Sequence, residues 1–150
     1  MGLAGVVINI DLGKAAAIGI ARLYEELLGF TYAREKEVGG EAVARLIGLP
    51  NPVRLKIMYL SREGLTVELF QCLEPKPSPR SNRALNEPGL SHIALLVDDI
   101  DELLSKVPSY GGQVLEDTKG PILEDTEADD ALFIRDPDGQ LIELLPPEAM

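Results

Sequence analysis

Gly64-Leu65-Thr66-Val67-Glu68-Leu69 is answered, 75 residues later, by Gly139-Gln140-Leu141-Ile142-Glu143-Leu144. Each stretch has a glycine, three residues, then Glu-Leu inside an apolar run. Strong β-formers surround both glutamates, so each reads as a carboxylate projecting from a buried strand. A buried carboxylate must be paired, hydrogen-bonded or bound to a metal, because leaving it bare costs several kcal/mol. The single histidine, His92, lies in a third run of this kind, Leu90-Ser91-His92-Ile93-Ala94-Leu95-Leu96-Val97. Two glutamates and one histidine on three core strands suggest a metal site. The bland alternative is two structural carboxylates, paired with Arg54 or Arg135, and a core histidine bonded to a neighbour.

Working outward, Val6 to Ile10 reads as a strand and Lys14 to Leu28 as a helix. Ala16, Ile20, Leu23 and Leu27 form its apolar stripe, and Gly29 is its C-terminal cap. Thr31 to Val38 is a strand with a polar, exposed face. Glu41 to Ile47 is a short helical turn ended by Gly48. Arg54 to Leu60 and Leu65 to Cys72 make a hairpin. Residues 74–89 alternate prolines with polar residues and form an extended linker. The pattern then repeats. Leu90 to Val97 is a strand, and Asp99 to Lys106 is a helix whose Asp99 and Glu102 resemble a capping box. Gln113 to Asp117 is a strand, and Asp130 to Arg135 with Gln140 to Leu145 forms another hairpin. The chain is an internal duplication: one domain over 1–150, with module one at 1–73, the linker at 74–89 and module two at 90–150. The fold class is α+β, two tandem βαβββ modules in a curved mixed sheet around a central cleft.

Alternation along the strands sorts the faces. Thr66, Glu68 and Phe70 share one face; Leu141, Glu143 and Leu145 share another; Leu90, His92, Ala94 and Leu96 a third. The opposite faces are apolar too, so both sides of the sheet are expected to be covered, with the polar trio lining the concavity. Cys72 falls on the face of Glu68 and reads as a buried, inert thiol. Phe70, Tyr59, Met58 and Phe133 are core or pocket wall. Lys76, Arg80 and Arg83 keep the linker soluble or reach an anionic substrate. The acidic run Glu124 to Asp130 lacks calcium-loop spacing and reads as a solvated loop.

The bulk numbers fit one soluble globular domain: 150 residues, 45% hydrophobic, 26% charged. A net charge of −11 argues against nucleic acid and anionic membranes and mildly favours neutral or cationic ligands. The lone Cys72 excludes an internal disulfide and a cysteine zinc cluster, and fits a reducing cytoplasm. Leu3 to Ala21 is apolar but interrupted by Asp11 and Lys14, so it reads as structure rather than a secretion signal or a membrane span.

Tyr24-Glu25-Glu26-Leu27-Leu28-Gly29-Phe30, Thr66-Val67-Glu68-Leu69, Ser91-His92-Ile93-Ala94 and Asp136-Pro137-Asp138-Gly139 running into Ile142-Glu143-Leu144 together resemble the glyoxalase/bleomycin resistance/dioxygenase group, the vicinal oxygen chelate superfamily. The resemblance covers nearly the whole chain. It implies two βαβββ modules around a cleft that usually holds a divalent metal, with ligands from the first and last strands of each module. It makes Glu68, His92 and Glu143 three of four ligands. The fourth is often a first-strand histidine, which this chain lacks. Counting from Asp11 lands on Gly5 or Ala4, and counting from Tyr24 lands on Asn9, a weak amide donor.

The resemblance implies a divalent-metal-dependent lyase, isomerase or epimerase acting on a small substrate with vicinal oxygens through an enediolate or enolate. Glu143 carries the proton, with Glu68 as its partner. One imidazole and two carboxylates suit Zn, Ni, Mn, Co or Fe. Extradiol dioxygenase chemistry, which calls for two histidines, is not implied. The rival is a non-catalytic, bleomycin-resistance-like protein that sequesters a cationic drug in an acidic cleft. The family also implies a homodimer, with exchange of modules permitted by the linker.

Overall fold

A computed structural model describes residues 5–10, 16–78, 84–121 and 130–149. The start of the expected first helix (Lys14 and Ala15), the linker cations Arg80 and Arg83, and Glu124–Asp129 of the acidic run lie outside the described residues. The chain divides into two compact units. One comprises Met1–Ala17 and Tyr24–Ser81, the other Ile18–Leu23 and Asn82–Met150.

The first unit is a four-stranded mixed sheet in the order β1-β4-β3-β2. β1 (Val6–Ile10) runs parallel to β4 (Leu65–Glu74); β3 (Arg54–Arg62) and β2 (Thr31–Gly39) follow antiparallel. Ile8, Leu60, Val67 and Leu69 are buried on one face. On the other, Ala44 of α2 (Glu41–Ile47) packs with Leu55 and Ile57. That helix ends as expected at Gly48, in the left-handed conformation at φ 69°. The hairpin between β3 and β4 closes on Glu63 and Gly64, both at positive φ (48° and 86°), the backbone twist a two-residue turn requires.

The first helix differs from the expected single stretch. α1 spans Ala16–Arg22, and one π-helical turn, Leu23–Leu27, follows it. The wider turn aligns residues five apart. Leu28 rather than Leu27 therefore joins Leu23 and Tyr24 in the buried set. Gly29 caps the segment at φ 71°, and the Phe30 amide donates to the Tyr24 carbonyl at 2.9 Å. This bond spans one residue more than the six-to-one bond of a Schellman motif, as the wider π-helical turn before Gly29 requires, and Tyr24 and Phe30 pack edge to face across it.

The second unit repeats the sheet as β5-β8-β7-β6. β5 (His92–Leu96) runs parallel to β8 (Leu141–Leu145), with β7 (Ala131–Arg135) and β6 (Gln113–Gly120) antiparallel beyond it. β5 is shorter than the expected Leu90–Val97, because β8 offers only five rungs; Leu90 is 82% exposed. β6 is longer than expected, because the Thr118 hydroxyl accepts the Phe133 amide and carries the edge past a bulge. α3 (Ile100–Lys106) starts at Asp99, whose side chain accepts the Glu102 amide at 2.8 Å. The Glu102 carboxylate pairs with Lys106, four residues on. The duplication thus appears as two four-stranded mixed sheets of identical order. The expectation of fully covered faces fails in the second unit, where Ala94 and Leu96 on the His92 side of β5 are exposed.

Candidate active site

β8 puts Glu143 between buried Ile142 and Leu144, so the carboxylate projects to the other face. Antiparallel β7 sets Phe133 opposite it, and parallel β5 sets Ala94 beside it. His92 lies two residues before Ala94, on the same face, and its Nε2 is 3.1 Å from Glu143 Oε2. Its Nδ1 is 2.9 Å from the Ser91 hydroxyl. Its ring meets Phe133 edge on, 5.1 Å between centroids. The two side chains are only 27% and 24% exposed. Arg135, the alternative partner for Glu143, donates instead to the Gly139 carbonyl at 2.9 Å.

This arrangement has two consistent proton placements. With Nε2–H donating to Glu143, Nδ1 accepts from Ser91. With Nε2 offered to a cation, Nδ1–H donates to Ser91. A hydroxyl serves both, which is the outer support that ligating imidazoles generally require.

Glu68 holds the corresponding rung of the first unit. Val7 is beside it on β1 and Tyr59 opposite it on β3. It is half-buried and has no hydrogen-bond or ion-pair partner among the described residues. Val7 beside Glu68 matches Ala94 beside Glu143, so the residue equivalent to His92 is Gly5. A Cβ on Gly5 would lie 2.7 Å from the Thr66 carbonyl oxygen, so no side chain fits there without a backbone shift. Of the two counts from sequence, the register agrees with Gly5; Ala4 lies outside the described residues. Asn9 is on the face of Glu68 but opposite Phe70, four residues beyond the histidine-equivalent position. Among the described residues, no three His, Cys, Asp or Glu side chains stand together closely enough to hold a metal ion.

Next to Glu68 on the same face, the first unit has a cavity of about 520 Å³, lined by Asn9, Ile47, Leu49, Phe70, Cys72 and Lys76 among others. Phe70 is thus pocket wall as well as core neighbour. Cys72 is on the expected face but half-buried at the cavity, where burial pushes its thiol above the ordinary value. The roles of Ile47 and Leu49 were not evident in the sequence; the available signal was two apolar side chains flanking the Gly48 cap. Asp136 was also missed. Its carboxylate, 2% exposed, accepts the amides of Asp138 and Gln140 at 2.9 and 2.8 Å and builds the turn that delivers β8.

The profile of the Glyoxalase/Bleomycin resistance protein/Dioxygenase superfamily matches residues 20–144. Among solved structures, the fold is similar to a glyoxalase family protein from Bacillus cereus, with TM-score 0.73 and 22% identity over 96% of this chain and 92% of that one. A glyoxalase family protein from Enterococcus faecalis gives 0.59 and 23%, covering 96% of each chain. The fosfomycin resistance protein FosX from Mesorhizobium loti gives 0.60 and 14%, over 96% of this chain and 90% of that one. Among curated proteins, none matches the sequence. No helix among the described residues is long and apolar enough to cross a membrane.

Proposed function

The chain belongs to the Glyoxalase/Bleomycin resistance protein/Dioxygenase superfamily, and on that premise we propose that it is a divalent-metal-dependent lyase, isomerase or epimerase acting on a small substrate with vicinal oxygens. The observation that carries this reading is the His92–Glu143 contact at 3.1 Å, backed by Ser91. An imidazole and a carboxylate, half-buried and supported from behind, fit a borderline or hard ion such as Zn, Ni, Mn, Co or Fe. Two donors do not make a closed site. Glu68 is the proposed third, because it occupies the rung equivalent to Glu143 and has no protein partner among the described residues. Asn9 is the weak fourth.

When bound, the ion supplies Lewis acidity that makes the carbon next to the substrate oxygens easier to deprotonate. The chain supplies the proton carrier. Glu143 accepts a proton from carbon at a carboxylate oxygen and returns it to the neighbouring position, as a general base and then a general acid. Hydrogen bonding from His92 Nε2 orients that carboxylate in the free protein, and the Phe133 ring keeps one side of the imidazole dry. Glu68 is its partner carboxylate across the reaction. We propose a homodimer in the cytoplasm, with a proline-rich linker that permits module exchange; a monomer in sedimentation equilibrium at micromolar concentration would overturn the dimer.

The second reading is a non-catalytic drug binder. The closed Gly5 position, which denies the first unit a histidine, and the net charge of −11 favour it. Elemental analysis of protein purified without chelators separates the two. The enzyme reading expects about one metal per chain in the wild type and loss of it in His92→Ala and Glu143→Gln. Metal-free wild type that binds a basic drug at micromolar affinity overturns it.

A further inference from the structure

We propose that the cavity of the first unit binds the apolar body of an organic anion whose acidic group meets Lys76 and whose reacting end lies on the Glu68 side of Phe70. The position comes from β4. Glu68, Phe70 and Cys72 alternate along one face of that strand, each about 7 Å from the next. A molecule with its oxygens at Glu68 therefore continues past Phe70 directly into the cavity. The size comes from the volume. At about 520 Å³ the cavity falls within the roughly 300–1,000 Å³ of sites for whole organic ligands, and a three-carbon substrate would leave most of it unfilled.

The chemistry comes from the walls. Ile47, Leu49 and Phe70 present hydrocarbon, and the raised Cys72 thiol reports the same desolvated surroundings. Water leaves such walls readily, so they select an apolar body. Asn9 offers one amide. Among the described residues, Lys76 is the single charged group in the lining, and it has no ion-pair partner among them. The chain as a whole is strongly acidic, but charges farther away than about 8–10 Å are largely screened at physiological salt. At the end of the cavity away from Glu68, the Lys76 ammonium is therefore the charge that a ligand meets, and it favours an anionic group there, against the preference for cations that the net charge alone implies. That the ligand is the substrate rests on Glu68 belonging to the reaction centre; the binding itself does not.

Cys72 is the chain's single cysteine, so its alkylation by N-ethylmaleimide reports on the cavity from one residue. Butanoate, hexanoate and octanoate serve as protectants of the protein as purified, with calorimetric titration of the same acids as a readout independent of the thiol. The half-protecting concentration is expected to fall about tenfold for each added pair of methylenes. Octylamine is expected to give no protection, and Lys76→Gln to weaken octanoate about two- to fivefold. Ile47→Trp, which fills the cavity, is expected to abolish octanoate binding in the calorimeter. Equal protection by all three acids, or by octylamine as well as octanoate, overturns the proposal. His92→Ala should bind octanoate as the wild type does. Metal lost from that variant with octanoate binding absent throughout sinks this inference alone; octanoate binding in a metal-free wild type sinks only the metal reading.

Discussion

The two sheets have the same strand order, with the first strand parallel to the last in each, and Glu68 and Glu143 stand on equivalent rungs. What differs is the residue two places before the rung. In the second unit it is His92, reaching Glu143; in the first it is Gly5, pressed against the Thr66 carbonyl. The turns differ too. β3 and β4 join through two positive-φ residues, whereas β7 and β8 join through a turn held by the buried Asp136 carboxylate. The His92 face of β5 is open at Ala94 and Leu96, while α2 roofs part of the Glu68 face of the first unit and leaves a cavity. Duplication therefore copied a frame of strands, and local backbone clearance decided which copy could carry a histidine two places before the rung.

The turns offer the strongest test of that contrast. Asp136→Ala orphans two amides, and at about 1–3 kcal/mol for each unsatisfied group it is expected to cost roughly 2–4 kcal/mol in urea unfolding. A loss below about 1 kcal/mol would mean that the second turn closes by backbone geometry alone, as the first does. At the rung itself, Gly5→Ala is expected to destabilise by about 1–3 kcal/mol through overpacking against Thr66, while His92→Ala leaves stability nearly unchanged. A neutral Gly5→Ala would break the steric account of why the first unit has no histidine.

Ser91→Ala sharpens the comparison at the site. It is expected to weaken zinc binding about 10- to 100-fold and to shift the nitrogen resonances of the single imidazole toward a mixture of tautomers, leaving the unfolding midpoint in place. Unchanged nitrogen shifts would remove Ser91 from the site. The smallest effect separates the helices. α3 has a side-chain cap and α2, which starts at Gly40, has none. Asp99→Ala is expected to cost about 1 kcal/mol, seen as faster amide exchange at Glu102; an unaltered rate would show that the cap contributes nothing.

Much of the fold was legible because its signals are local. The alternation around Glu68 and Glu143, the Gly29 and Gly48 caps and the Asp99 cap each involve neighbours within a few residues, and all appear as expected. The π-helical turn at Leu23–Leu27 was not legible, because a 3.6-residue stripe through Leu27 and a five-residue step to Leu28 differ by one position in an apolar segment. The role of Asp136 was hidden by a motif that reads as an ordinary turn. His92 and Glu143 were nominated together from sequence, with pairing to Arg135 as the bland alternative; the Arg135 guanidinium instead donates to the Gly139 carbonyl.

From the amino-acid order alone came the repeated strand pattern, the turns and the faces on which Glu68, His92 and Glu143 project, since a period of two is written into each strand separately. Tertiary structure decided that Gly5 is the counterpart of His92, that Glu143 meets the imidazole, and that a cavity opens beside Phe70. Those outcomes depend on register and on how closely backbones from distant parts of the chain approach, which no single strand encodes.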